Sequence, residues 1–244
     1  MDTKRRDLFM KPTKKAAEMT TKELARYIDQ SVLKPEFTQE DIRKYTQEGI
    51  DFGCATICIN PSSLEMVSKM VEGTETGICV VCDFPFGLST TESKVKQAEE
   101  YCSKYKIMDL DIVANYGQLR SGNLDYVTRD IKAVVDVCHK YGTQVKVIIE
   151  TDSLTKQQII DGTKCAVAAG ADFIKSSTGF FTGGECVGAT IEVVQTMMEA
   201  GEGKIKVKGS GCIRTREHFL QLIDMGIDRM GIGYRSTPVV LGLK

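Results

Sequence analysis

Two lysines close apolar runs in this chain: Lys175 in ADFIKSSTGF and Lys208 in KIKVKGSG. Lysine is almost never fully buried unless paired, so an ammonium at the end of an apolar run needs a partner or a function. Asp111, near the end of IMDLDIVAN, offers a carboxylate. One reading is structural: Lys175 makes an ion pair with Asp111 and does nothing else. The other is chemical. Two neighbouring ammonium groups, partly buried, lower a lysine's pKa, and a neutral lysine is the nucleophile of Schiff-base chemistry on carbonyl compounds. Asp111 would then handle proton transfer. The spacing alone does not name the reaction.

Other residues bound the chemistry. Lys206 and Asp109 stand two positions before Lys208 and Asp111, on the same side of their strands. Either they form a charged layer deeper in the fold, or Lys206 snorkels to the rim. The two histidines, His139 and His218, fall among polar neighbours in helical segments, so a histidine acid–base mechanism is not expected. Cysteines number nine, an odd count that forbids complete pairing, and most sit in apolar runs, which argues for a reducing compartment. Cys79 and Cys82 form a lone C-x-x-C inside the apolar run Ile78 to Phe84. No second pair has zinc spacing, so neither a metal nor any other cofactor is expected. Three loops rich in Gly, Ser and Thr, Ser176–Gly184, Gly209–Thr215 and Gly231–Thr237, suit a phosphate group held by backbone N–H.

Positioning these residues requires alternating elements. Eight short apolar runs recur: Tyr27–Ser31, Ala55–Ile59, Ile78–Phe84, Leu110–Asn115, Val145–Glu150, Asp172–Ser177, Ile205–Lys208 and Arg229–Gly233. Their near-continuous apolar character suits strands buried on both faces. Amphipathic segments lie between them. Thr38 caps one, Thr155 and Gln158 have capping-box spacing for another, and Gly142 and Gly170 stand where helices end. Eight strand–helix units predict a (β/α)8 barrel, an α/β fold, rather than an open doubly wound sheet, since no strand-then-GxGxxG fingerprint occurs. Residues 1–20 read as an N-terminal arm or extra helix, and residues 21–244 as the catalytic barrel. In such a barrel, functional groups sit at the C-terminal ends of strands, where Asp29, Cys58, Asn60, Asp111, Asn115, Glu150, Lys175 and Lys208 fall.

Bulk properties exclude several classes. A formal net charge of -1 gives no basic footprint for nucleic acid. No apolar run approaches the ~20 residues of a membrane span, and the basic start MDTKRRDLFMKPTKK lacks a secretory apolar stretch. The chain therefore reads as cytoplasmic, with no nucleic-acid or membrane partner. Barrels of this kind commonly self-associate, so a homodimer is expected.

At this point the segments YIDQSVLKP, CATICINP, DFPFGLSTTESKVKQAE, DLDIVANYGQLRSGN, KVIIET, ADFIKSSTGFFTGG and KVKGSGCIRT are identified together. The chain resembles the deoxyribose-phosphate aldolases, a class I aldolase family. The resemblance implies that Lys175 is the Schiff-base lysine, Lys208 the second lysine that perturbs it, and Asp111 part of the proton relay. It implies small-molecule aldehyde and sugar-phosphate partners. It places Asp29 and Cys58 along the substrate pocket, with Thr178 and Gly179, Gly211, Gly231 and Gly233 on the substrate and its phosphate. The last loop, GIGYRSTP, departs from the family's small hydroxyl residues. Arg235 would clamp a phosphate, or Tyr234 would fill that site and change the acceptor aldehyde. Cys212 stands where the family carries a second glycine, and the chain ends at Lys244 without the longer tail of some members. A lysine aldolase with another or an unphosphorylated acceptor, and a non-catalytic sugar-phosphate-binding barrel, are the alternatives.

Overall fold

The structure, a computed structural model, describes residues 12–244. Eight strands form one closed parallel barrel in sequence order: β1 (Ile28–Val32), β2 (Thr56–Ile59), β3 (Gly77–Cys82), β4 (Asp109–Val113), β5 (Gln144–Ile148), β6 (Phe173–Lys175), β7 (Lys206–Ser210) and β8 (Arg229–Gly233), with β8 pairing back to β1. The helices are α1 (Thr21–Ala25), α2 (Gln39–Phe52), α3 (Leu64–Val71), α4 (Thr91–Lys104), α5 (Tyr116–Arg120), α6 (Leu124–Lys140), α7 (Lys156–Ala168), α8 (Ile191–Gly201), α9 (Arg216–Met225) and α10 (Thr237–Val240). The expected (β/α)8 barrel is the observed one.

Local signals account for the helix ends. Thr38 and Asp41 form a capping box at the start of α2, and Thr155 and Gln158 do the same for α7. Gly142 and Gly170 follow α6 and α7 with positive φ, the backbone that ends a helix with least strain in glycine. The expected arm of residues 1–20 falls partly outside the described residues. Within them, Ala16–Glu18 form a 3-10 turn whose Ala16 is fully buried and donates its N–H to Asp224 of α9 at 2.7 Å, which ties this turn to the barrel.

Several strands end earlier than their apolar runs suggest. β3 stops at Cys82 because Asp83 takes a positive φ of 50° and its carboxylate turns to accept from the Ser89 N–H and hydroxyl. β5 stops at Ile148, and Glu150, with φ 55°, redirects the chain. β7 instead runs two residues further, to Ser210.

The barrel has two unlike faces. Ile57, Ile59, Val80, Leu110, Ile112, Val145, Val147 and Ile174 are buried together with α6 and α7 residues such as Ile131, Val134 and Ala166. This is the outer core under the helices. The alternate residues face the lumen, and there the strands carry charge. Asp29 of β1 lies 3.6 Å from Lys146 of β5, four strands away, a contact that only the lumen permits. Register sets the tiers: Lys175 pairs with Lys208 across β6 and β7, and Asp111 with Lys146 across β4 and β5.

Candidate active site

Lys175, Lys208 and Asp111 converge. Asp111 Oδ2 lies 2.8 Å from the Lys175 ammonium and 2.6 Å from that of Lys208. Its Oδ1 accepts from the Cys79 thiol at 3.0 Å and lies 3.5 Å from Lys146. Lys208 has a second carboxylate, Asp29, at 2.6 Å. Asp29 in turn accepts from Thr56 and from Arg229, each at 2.7 Å. Below, Lys146 pairs with Asp109, which Arg229 also reaches at 3.4 Å. Lys208, Lys146, Asp29, Asp109 and Asp111 have no solvent exposure, whereas Lys175 keeps 3%.

At Lys208 the electrostatics run opposite to a like-charge depression. Burial disfavours a charged Lys208, but Asp111 and Asp29 outweigh it and hold Lys208 well above the ordinary lysine range. Burial likewise opposes an ionised Asp111, yet Lys175, Lys208 and Lys146 keep it far below the usual carboxylate range. Asp29 is held down in the same way by Lys146, Lys208 and Arg229, against burial. Lys208 is therefore a fixed cation between two fixed anions.

Sequence reasoning missed Lys146 and Arg229. The signal was present, since Lys146 interrupts the apolar run of β5 as Lys175 interrupts that of β6, but it sits in mid-strand rather than at an end. The deeper charged layer expected of Lys206 and Asp109 exists with different members: Asp109, Lys146 and Arg229. Lys206 is only partly buried, reaches Gln144 at 3.4 Å and lies 5.0 Å from the Phe173 ring centre, so it sits at the rim. The Phe173 ring also faces Lys146 and Arg229 at 5.3 and 5.9 Å, within cation–π range.

Above the cluster opens a pocket of about 260 Å³, lined by Lys175, Thr178, Gly179, Gly211, Gly231 and Gly233 as expected, and by Ser31, Lys34, Ser210, Cys212, Arg214 and Tyr234 among others. A Cβ on Gly231 would meet Ser210 Cβ at 3.1 Å and Lys208 Cε at 3.5 Å, so glycine keeps the floor open there. Thr178 is fixed by Glu150, to which its hydroxyl donates while accepting the Phe180 N–H at 2.9 Å. Burial, resisted by the Thr178 hydrogen bonds, raises the Glu150 pKa.

Three expected pocket residues stand elsewhere. Asp29 lies beneath the floor, in the ion cluster. Cys58 is fully buried and packs with Cys79, Val81, Leu33, Phe84 and Phe180, its thiol drawn down by hydrogen bonding with Cys79 despite burial. Arg235 is exposed and lies over the Tyr234 ring at 5.3 Å, outside the pocket, while Arg214 and Lys34 supply its cations. Tyr234 does not fill the site. Its ring centre is 3.9 Å from that of Tyr45 and 5.2 Å from that of Phe37, an aromatic cluster that holds it at the edge. His139 is exposed and bonded to Asp172 at 2.9 Å, and His218 is partly exposed on α9, both apart from this site.

Comparison with known proteins agrees with the geometry. Residues 24–237 match the family described as DeoC/LacD family aldolase. The deoxyribose-phosphate aldolase of Clostridium novyi (strain NT) is 40% identical over 221 residues, covering 91% of this chain and 96% of that protein. That of Thermococcus gammatolerans is 41% identical over 215 residues, covering 87% and 93%. Among solved structures, an aldolase named QR15 superposes with a TM-score of 0.81 at 32% identity, over 91% of this chain and 95% of that one. The deoxyribose phosphate aldolase of Aeropyrum pernix, described as a unique tetramer, superposes with a TM-score of 0.81 at 27% identity, over 91% of each chain. With a match spanning all eight strands and a lysine–aspartate cluster beneath the pocket at the barrel mouth, the chain belongs to the DeoC/LacD family of aldolases.

Proposed function

We propose that this aldolase reversibly cleaves 2-deoxy-D-ribose 5-phosphate to acetaldehyde and glyceraldehyde 3-phosphate through a Schiff base on Lys175. The observation that carries this reading is the placing of Lys175: it alone of the clustered lysines lines the pocket, while Asp111 joins it to Lys208. The cluster holds four cations, Lys146, Lys175, Lys208 and Arg229, against three carboxylates, Asp29, Asp109 and Asp111. Release of one proton from Lys175 balances these charges and frees the amine for attack.

The free amine adds to the C1 aldehyde of the open-chain sugar, and loss of water leaves an iminium. Removal of the C3 hydroxyl proton breaks the C2–C3 bond. The bonding electrons pass to the iminium nitrogen, giving an enamine, and glyceraldehyde 3-phosphate departs. Protonation at C2 restores an iminium, and water releases acetaldehyde. Asp111, touching both lysines, is the group placed to relay protons, with Lys208 as the fixed charge that keeps it ionised. The phosphate lies against Gly179, Gly211, Gly231 and Gly233, with Arg214 and Lys34 nearby. Thr178, held by Glu150, faces the sugar.

Self-association as a homodimer and a cytoplasmic setting belong to the same proposal. The exposed Phe86 and Leu88, at 54% and 68%, and the tetrameric Aeropyrum pernix relative support the first. Nine free cysteines support the second. No helix among the described residues is long and apolar enough to cross a membrane.

Borohydride trapping tests the mechanism. Reduction in the presence of acetaldehyde should fix a two-carbon adduct on Lys175, mapped by mass spectrometry and absent from Lys175→Ala. An unmodified Lys175 in a correctly folded protein would remove the Schiff base from this reading.

A further inference from the structure

Seven of the nine cysteines are buried; Cys186 and Cys212 are partly exposed, and their sulfurs lie 3.8 Å apart. Cys186 sits in the loop between β6 and α8, and Cys212 in the loop after β7. The two loops are already packed backbone to backbone. Ala189 N–H donates to the Gly211 carbonyl at 3.1 Å, and a Cβ on Gly188 would come within 2.3 Å of that same oxygen. Gly211 and Cys212 both line the pocket, with positive φ of 82° and 57°.

The surroundings of the two sulfurs differ. The Arg214 guanidinium lies 3.9 Å from Cys212 Sγ. Cys186 donates its thiol proton to Asp152 Oδ2 at 3.2 Å, while Asp152 Oδ1 accepts from the N–H groups of Val187 and Gly188, both at 3.0 Å. Burial and then the Asp152 carboxylate push the Cys186 thiol up to about 12. Cys212, the sulfur with a cation beside it, is the one placed to attack an oxidant, and Cys186 is the one that resolves.

We propose that Cys186 and Cys212 form a reversible disulfide on exposure to hydrogen peroxide, and that this bond weakens binding at the phosphate end of the pocket. The second half rests on the phosphate reading of that pocket. In the first step the Cys212 sulfur attacks one peroxide oxygen and the O–O bond breaks. The other oxygen leaves as hydroxide and takes the Cys212 proton to become water. Cys212 is then a sulfenic acid, oxidised by two electrons. In the second step Cys186 attacks the Cys212 sulfur as its proton passes to Asp152. The S–O bond breaks, and the departing hydroxide collects that proton. Two thiols and one peroxide give one disulfide and two waters. Closing from 3.8 Å to a bond of about 2.05 Å draws the Gly211–Cys212 wall toward the β6–α8 loop and away from the position it holds in the reduced pocket. A disulfide of this kind in a reducing compartment is a transient, redox-sensing one.

The test uses the full-length reduced enzyme. It is treated with hydrogen peroxide, quenched with catalase, its remaining thiols blocked, and its peptides mapped by mass spectrometry. In parallel, KM and kcat are measured on 2-deoxyribose 5-phosphate before and after dithiothreitol. The expected result is a Cys186–Cys212 crosslinked peptide pair and a rise in KM of about tenfold with a much smaller change in kcat, both undone by dithiothreitol. Cys186→Ser should keep the basal kinetics and lose the KM response. Cys212 oxidised without a crosslink would overturn the disulfide, and a crosslink with unchanged KM would overturn its effect on the pocket. Absence of turnover in the reduced enzyme would count against the aldolase reading instead, because the peptide map needs no turnover.

Discussion

Asp111 is the residue on which both lysines depend, and its replacement separates chemistry from fold. Asp111→Asn keeps the volume and one acceptor but removes the charge between the two ammonium groups. Loss of a positioned proton-transfer group costs about 10²–10⁴ in rate, so kcat should fall by that range. Steady-state kinetics with circular dichroism checks it; a folded variant within fivefold of the parent rate would exclude Asp111 from the relay. Lys146 makes the opposite case. Lys146→Met leaves Asp109, which is fully buried, facing only Arg229, and breaking a buried pair typically costs about 3–5 kcal/mol. Lys206→Met, at the rim, should cost less than about 1 kcal/mol. Urea midpoints of the two variants decide, and equal losses would place Lys206 inside the network after all. The contrast shows what could be read in advance. Lys175 was legible because it closes β6, where a barrel keeps its chemistry, and Lys208 and Asp111 because each breaks an apolar run, although both stand in mid-strand, two residues before the ends of β7 and β4. Lys146 and Arg229 were not, because each pairs with a carboxylate on the neighbouring strand, Asp109 and Asp29, and reaches a second one four strands away across the lumen, and no local pattern encodes either contact.

The elements that hold these residues end where side chains capture backbone. Thr38 and Thr155 do so within a few positions of sequence, and the glycines after α6 and α7 end their helices by taking positive φ, which made the helix ends readable. The ends of β3 and β5 depend on Asp83 and Glu150 adopting positive φ, and a run of apolar letters does not announce that. Asp228 shows an element held at a cost. It precedes β8 and accepts the Val207 N–H at 2.8 Å, stitching β7 to β8. Burial raises its pKa to about 6, with the Val207 hydrogen bond pulling the other way. Between pH ~4 and ~6 the folded protein keeps a proton that the unfolded chain has lost, so stability through this group falls as pH rises across that window. Asp228→Asn preserves an acceptor without the charge. It should be more stable than the parent by about 1–3 kcal/mol at pH 7, with the difference vanishing below pH 4. Urea unfolding at pH 4, 5, 6 and 7 measures this; a constant difference at every pH would show that the carboxylate does not titrate as described.

At the scale of the whole molecule, the pocket and the closure of the barrel are one structure. β7, the loop after it and β8 carry Lys208, Gly211, Gly231 and Gly233, and β8 completes the ring by pairing with β1, whose Asp29 pairs with Lys208. The eightfold alternation made the ring legible. Which cation faces the pocket was not, because Arg214 and Arg235 both follow glycine-rich strand ends, and only the folded loops distinguish them. Arg214 lines the pocket, whereas Arg235 lies outward over Tyr234. A ligand bound at this mouth must stabilise the entire fold, since nothing in the unfolded chain retains the site. Inorganic phosphate at about 100 times its Kd adds about 2.7 kcal/mol, a rise in Tm of roughly 5–10 °C for a domain of this size. Calorimetry should show that rise in the parent and in Arg235→Met, and a much smaller one at the same phosphate concentration in Arg214→Met. If Arg235→Met lost the shift while Arg214→Met kept it, the anion would be bound outside the barrel mouth, and the assignment of the glycine-lined pocket to the phosphate would fail with it.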